Sequence, residues 1–139
     1  MLSEMAARKI AVSGLRAQRL RMNVISNNIA NAQTTRTPEG GAFRRQLALL
    51  SGEALDDIGR PDAGGVRVRE VKKDMSPLEK VYAPNHPDAD KDGYLSLPNV
   101  NVAVEMVDLI SAQRAYEANI AVLASGSRMR ARALDILQR

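Results

Sequence analysis

A heptad repeat at the C-terminus restricts this chain to a fold built on a long helix. Side chains spaced alternately by four and three positions are Val102, Met106, Leu109, Gln113, Tyr116, Ile120, Leu123, Ser127, Arg130, Leu134 and Leu137. This spacing predicts a helix with a coiled-coil seam. The polar members Gln113, Ser127 and Arg130 weaken the seam and can fix its register.

The same segment carries a second pattern, an alanine at every third position. These residues are Ala112, Ala115, Ala118, Ala121 and Ala124. Such small side chains let a neighbouring backbone approach closely. Pro98 precedes the helix, and Asn99 or Asn101 is placed to cap its N-terminus.

The N-terminal segment predicts a second long helix, from Leu2 to about Ala32. It contains no proline, and Gly14 is its one weak point. One apolar track comprises Met5, Val12, Leu15, Met22 and Ile29, and the other comprises Ala6, Ile10, Ala17, Leu20 and Val24. Two tracks imply contacts on more than one side. Helices of about 30 and 37 residues would be about 45 and 55 Å long, so they match well enough to pair along most of their length.

A row of asparagines lies near the end of this first helix. Asn23, Asn27 and Asn31 are spaced four apart, and Asn28 lies beside them. Asparagine is a mediocre helix former, so a row of four requires a reason. Amides both donate and accept hydrogen bonds, and a row of them can bond to other chains. We therefore predict a protein-interaction surface here; the alternative is a solvated helix end.

The middle of the chain predicts a small β and loop insertion. Phe43–Leu50 and Val66–Val71 alternate like strands, with Gly64-Gly65 as a turn, and residues 51–65 and 83–100 predict loops. About sixty residues with few large apolar side chains is too little for a robust independent domain.

The predicted fold is therefore mainly α. Long N- and C-terminal helices pair as an antiparallel-type coiled coil, with a small β/loop insertion between them. The predicted divisions are 1–36 for the first helix, 37–100 for the insertion and 101–139 for the heptad helix.

The sequence gives no support for an enzyme or a cofactor. His86 is the one histidine, there is no cysteine, and no hydrolase, P-loop or dinucleotide motif occurs. No apolar run approaches the roughly 18 residues of a membrane span. The N-terminus also lacks the apolar core of a secretory signal peptide.

One loop imitates a calcium site. Asp88–Gly93, DADKDG, copies the first six positions of a calcium-binding loop, but Asn99 occupies the position of the bidentate glutamate. We predict instead an acidic turn before a short strand, Tyr94–Leu97, and no metal site.

The net charge of +4 raises the alternative of nucleic-acid binding. The basic residues of the first helix are dispersed and largely lack interleaved aromatic residues: Arg8, Lys9, Arg16, Arg19 and Arg21. A solvated helix face is therefore favoured. A stand-alone coiled-coil or nucleic-acid-binding regulator stays open as an alternative, and it predicts a discrete dimer with salt-sensitive binding.

Two long motifs resemble one family. Residues 13–46, SGLRAQRLRMNVISNNIANAQTTRTPEGGAFRRQ, and 98–123, PNVNVAVEMVDLISAQRAYEANIAVL, resemble the rod, hook and hook-associated proteins of the bacterial flagellum. The runs TTRTPEGGAFRR and HPDADKDGYLSLPNVN are similar to those of proximal rod components, and the short middle is consistent with that.

The resemblance implies a structural subunit located in the flagellar basal body. Such proteins leave the cytoplasm unfolded through the flagellar type III export apparatus and assemble helically into a periplasmic tube that transmits torque. The implied partners are other copies of the chain, the rod proteins FlgB, FlgF and FlgG, and the basal protein FliE.

The asparagine row, the seam and the resemblance together predict which residues contact other chains. They are Asn23, Asn27, Asn28, Asn31, Thr34, Thr35, Val102, Met106, Leu109, Gln113, Tyr116, Asn119, Ile120, Leu123, Leu134 and Leu137. Because both helices carry several contact faces around a weak core, we expect them to be poorly ordered until the subunit assembles.

Overall fold

The computed structural model describes residues 2–53 and 64–137, and it confirms two long terminal helices around a small β insertion. The elements in chain order are α1 (Leu2–Ala30), β1 (Gln46–Glu53), β2 (Gly65–Lys73), β3 (Glu79–Tyr82), β4 (Tyr94–Leu97) and α2 (Val102–Leu137). α1 has 29 residues and α2 has 36, close to the predicted lengths. No helix in the described ranges is long and apolar enough to cross a membrane.

The two helices lie side by side and run in opposite directions. Position 14 of α1 lies against Asn119 of α2, and Arg21 contacts Asp108. Small residues allow this close approach: Ala11 and Ala17 of α1 and Ala112 of α2 are buried. A Cβ added at Gly14 would lie 3.0 Å from the side-chain amide of Asn119.

Of the alanines that recur at every third position of α2, only the first two lie on a buried or partly buried face. Ala112 is fully buried and Ala115 is partly buried, whereas Ala118, Ala121 and Ala124 are exposed. A step of three residues falls about 60° short of a full helical turn, so the pattern rotates away from α1.

The observed contact line on α2 differs from the predicted heptad seam at every second position. Leu109, Tyr116 and Leu123 are partly buried, as predicted. The residues at the other heptad position of the predicted seam face solvent: Met106 is 54% exposed and Ile120 is 45% exposed. The less exposed residues lie one position earlier in each case: Glu105, Ala112, Asn119 and Gly126. Small and polar residues permit a closer approach than methionine or isoleucine, which explains the shift.

The insertion consists of two antiparallel strand pairs, β1 with β2 and β3 with β4. The predicted strand Tyr94–Leu97 is confirmed as β4, while β1 begins later than predicted and extends to Glu53. β3 was not predicted, since all four of its residues are exposed and leave no alternation to read. Residues 54–63 of the predicted loop 51–65 lie outside the described residues.

The β1–β2 pair is attached to α1 at the start of β2. The Ser13 hydroxyl donates to the Ile10 carbonyl (2.7 Å) and accepts from the Val66 N–H (3.0 Å). Gly65 precedes this contact with φ of +137°, and a Cβ there would lie 2.6 Å from Ser13 Oγ. The attachment therefore depends on a glycine at position 65.

Gly65→Ala is expected to lower the free energy of unfolding by about 1–3 kcal/mol, since it combines backbone strain with displacement of Ser13. Urea unfolding followed by circular dichroism measures the change. Gly52→Ala is the matched control, because it lies in β1 with nothing within 4 Å of an added Cβ. Equal stabilities of the two variants would show that the Gly65 contact does not hold the hairpin in place.

Candidate protein-interaction site

Polar side chains meet inside the subunit where α1, α2 and the start of β1 come together. We call this cluster the polar junction, and its members are Arg21, Asn28, Arg45, Glu105 and Asp108.

Asn28 connects three elements at the polar junction. It is 1% exposed. Its amide nitrogen donates to the Gln46 carbonyl and to Glu105 Oε2, both at 2.9 Å, and its Oδ1 accepts from the Gln46 N–H at 2.9 Å. Asn28 thus lies inside the subunit in this structure, contrary to the prediction that it contacts another chain. One residue of offset from Asn27 rotates it by about 100° onto the face of α1 that meets α2.

Glu105 supplies the buried charge of the polar junction. It is 1% exposed, and Arg45 Nε donates to its Oε1 at 2.5 Å. A buried carboxylate is costly unless it is paired and hydrogen-bonded, and Arg45 and Asn28 together fulfil both conditions. Its place in the first turn of α2 adds favourable interaction with the helix dipole.

A second acid extends the polar junction toward the surface. Asp108 accepts from Arg45 and from Arg21, each at 3.3 Å. The sequence favours a solvated helix face for Arg21, whereas the structure pairs its partly buried side chain with Asp108, and the sequence predicts no role for Arg45 or Asp108. For Glu105 the sequence gives only its place within the motif of residues 98–123. Because the paired side chains are 60 or more positions apart, no local pattern indicates their contact.

The remaining asparagines finish α1 and stay near the surface. The Asn31 amide donates to Asn27 Oδ1 (2.7 Å) and to the Asn27 carbonyl (2.9 Å), and Thr34 Oγ1 donates to Asn31 Oδ1 (3.1 Å). Asn23 and Asn27 are exposed. These residues therefore keep surface available for another chain.

The carboxylates of the acidic loop accept hydrogen bonds from backbone groups of the loop and from the segment that follows α1. Asp88 accepts from the Thr35 hydroxyl at 2.8 Å, and Asp90 Oδ1 accepts from the N–H groups of Asp92 (3.0 Å) and Tyr94 (2.8 Å). Gly93 completes the turn with φ of +80°. Among the residues that the structure describes, no group of three or more potential metal-ligating side chains occurs.

Asn99 and Asn101 have different roles before α2. Asn101 Oδ1 accepts from the N–H groups of Ala103 (3.0 Å) and Val104 (3.2 Å), which confirms the predicted N-cap. Asn99 instead accepts from the Arg45 N–H at 2.8 Å and so joins the linker before α2 to the start of β1.

Two carboxyl groups in the insertion, partly buried Asp74 and exposed Glu39, have lowered pKa values. The backbone N–H of Ser76 donates to Asp74 Oδ1 and holds the pKa of that carboxyl below its usual value. A hydrogen bond from Lys73 similarly lowers the pKa of Glu39.

The predicted interface residues of α2 separate into two groups. Those that are partly buried are Leu109, Tyr116, Asn119 and Leu123. Those that are exposed are Val102, Met106, Gln113, Ile120 and Leu134. The side chain of Leu137 lies outside the described residues.

The exposed group is supplemented by further large apolar side chains on α2. Val107 is 67% exposed, Ile110 58% and Ile136 76%. Extended apolar exposure of this kind marks surfaces for protein–protein contact. We call the set Val102, Met106, Ile120 and Leu134 the outer seam.

Comparison with known proteins identifies similar chains. Residues 9–36 match the family described as Flagella basal body rod protein, and residues 91–136 match Flagellar basal body rod FlgEFG protein C-terminal. The flagellar basal-body rod protein FlgC of Borreliella burgdorferi is 50% identical, over 93% of this chain and 94% of that protein. FlgC of Bacillus subtilis is 39% identical, with 91% and 93% covered, and FlgC of Salmonella typhimurium is 39% identical, with 93% and 94% covered.

Proposed function

The chain belongs to the FlgC family of flagellar basal-body rod proteins, and we propose that it is a structural subunit of the proximal rod that assembles helically with other rod proteins. It is a structural component of the basal-body rod and not an enzyme. The outer seam supports the proposal most directly, because an isolated subunit leaves these apolar side chains in water.

The proposal extends to export and mechanics. The subunit passes unfolded through the flagellar type III apparatus, assembles in the periplasm and transmits torque. Its partners are further copies, FlgB, FlgF, FlgG and, at the base, FliE. Segments 1–36 and 101–139 form the inner rod as a supercoiled antiparallel pair, and segment 37–100 lies outside it.

The polar junction suits a subunit that carries load. It joins both helices and the β insertion through bonds whose donors and acceptors are buried or partly buried. In this proposal the polar junction keeps the subunit rigid, while exposed Asn23 and Asn27 and the outer seam contact neighbours.

The double variant Asn27→Ala with Asn31→Ala tests the asparagine contact. The two side chains bond only locally among the described contacts, so we expect the free energy of unfolding to change by less than about 1 kcal/mol. In cells, export should persist while rods fail to form and motility is lost. Electron microscopy of basal bodies and a soft-agar motility assay provide the measurements.

Ser26→Ala, at an exposed polar position of α1, is the matched control and should swim normally. Normal rods and normal swimming in the double variant would reduce the asparagine row to a polar helix end, and the outer seam would then specify assembly without it.

A further inference from the structure

One end of the helix pair is basic, and the other carries an acidic loop in which exposed Lys91 lies between Asp90 and Asp92. One end collects basic side chains from the beginning of α1 and the end of α2: Arg8, Lys9, Arg128, Arg130 and Arg132. We call this the basic end. The other end carries the acidic loop of the insertion, which Asp88 ties to Thr35 just beyond α1.

An apolar groove opens at the basic end. It has a volume of about 560 Å³, and its lining includes Val12 of α1 and Val122, Leu123 and Met129 of α2, together with Arg8 and Arg130. Val122 is 53% and Met129 61% exposed. The groove thus combines apolar walls with guanidinium groups, and its size is that of a cavity for a few side chains.

The acidic loop presents an exposed aromatic pair. Tyr82 and Tyr94 pack edge to face, with ring centroids 5.4 Å apart, and they are 65% and 45% exposed. Asp90 and Asp92 lie in the turn beside them and are exposed as well. We call these four residues the tyrosine–aspartate tip.

The groove and the tip cannot meet within one subunit. The tip is attached beyond the C-terminal end of α1, whereas the groove lies near residues 7–12 at the other end. From residue 12 to the end of α1 at residue 30, the helix rises about 27 Å. Contact between them requires two chains.

We propose that the groove at the basic end binds the tyrosine–aspartate tip of a second copy of this chain, head to tail. This inference rests on the proposed rod function and specifies one of its contacts. A contact between two different surfaces of one chain repeats from copy to copy and generates an open assembly.

The chemistry of the two surfaces is complementary. Tyrosine rings bury large apolar area while keeping a polar hydroxyl, which suits a groove with apolar walls and polar edges. The carboxylates of Asp90 and Asp92 meet arginines, whose planar guanidinium groups bond well to carboxylates. Tyrosine and arginine are also the residue types enriched at the energetic centres of interfaces.

Engineered cysteines test the contact in the purified chain, whose 139 residues contain no cysteine. Lys91→Cys marks the tip without removing a proposed contact, and Ser125→Cys marks the groove lining. Under mild oxidation the double variant should give a ladder of disulfide-linked multimers. A mixture of the two single variants should give a mixed dimer that exceeds either symmetrical dimer by about fivefold or more, since the contact is heterologous.

Two further variants supply the controls. Lys72→Cys with Ser125→Cys places the first cysteine at an exposed position of β2 away from the tip, and it should give only background cross-linking. Arg8→Glu added to the tip-and-groove pair should lower the yield by about fivefold or more, because it places like charges together.

A yield equal to that of the Lys72 control, or no effect of Arg8→Glu, would overturn the head-to-tail contact. If cross-linking stays at the control level but the outer-seam variant Met106→Asp with Ile120→Asp still fails to form rods, the proposed rod function stands. Only the head-to-tail contact is then rejected. Normal rods in that outer-seam variant would instead count against the proposed function.

Discussion

Glu105→Ala is expected to lower the free energy of unfolding by about 3 kcal/mol, because Arg45 Nε and one of the two amide hydrogen bonds of Asn28 lose their acceptor inside the subunit. The Glu105 side chain is 1% exposed, so water hardly solvates its charge in the folded state. The Arg45 side chain is 23% exposed, so water can partly solvate the guanidinium once Glu105 is removed. Removing one partner of a buried ion pair typically costs about 3–5 kcal/mol, and the partial exposure of Arg45 places this variant at the lower end of that range. Urea unfolding followed by circular dichroism measures the change.

Glu117→Ala is the matched control for this prediction. Glu117 lies on the same helix, is exposed, and accepts from Gln113 one turn away at 3.0 Å. Its loss should cost about 0.5 kcal/mol or less. The double variant Glu105→Ala with Arg45→Ala should be less destabilised than the sum of the two single variants. Strict additivity would mean that the two side chains do not act as a pair.

The second large effect is expected in assembly. Met106→Asp combined with Ile120→Asp places two charges in the outer seam, where the proposed contact would remove them from water without partners. Burying an unpaired charge costs several kcal/mol, so subunit association should weaken by at least about a hundredfold. We expect no rods by electron microscopy and no swimming, although the exported protein accumulates.

The outer-seam variant should fold normally, because Met106 and Ile120 are about half exposed in the subunit. Its circular dichroism spectrum and urea midpoint should match those of the unmodified chain. Val71→Asp is the control, since Val71 is a comparable apolar residue, 43% exposed, in β2 of the insertion and away from the tyrosine–aspartate tip. Equal loss of rods in this control would show that added charge, not its position, blocks assembly.

The polar junction changes how the two family-like motifs are interpreted. Asn28 comes from the N-terminal motif and Glu105 from the C-terminal one, and they bond to each other at 2.9 Å inside the subunit. Their neighbours Asn27 and Met106 are exposed. Each motif therefore has one residue that holds the subunit together and an adjacent one that is available to partners.

The sequence by itself determined the approximate positions and lengths of both helices, an asparagine cap at position 99 or 101, and the turn before β4. Each of these depends on groups close together in the chain: apolar spacing, a capping side chain, or the backbone freedom of Gly93. Local signals of this kind need no knowledge of the partner element.

Only the tertiary structure decided which face of each helix points inward. The heptad spacing on α2 permitted two neighbouring contact lines, and the closer approach possible at Ala112 and Asn119 selected the one that leaves Met106 and Ile120 outside. Which asparagine is buried was also decided by the tertiary structure: Asn28, and not Asn27, faces inward because it bonds to Glu105, 77 positions further along the chain. A helical period fixes the spacing along an axis, but the rotation about that axis is set by what packs against it.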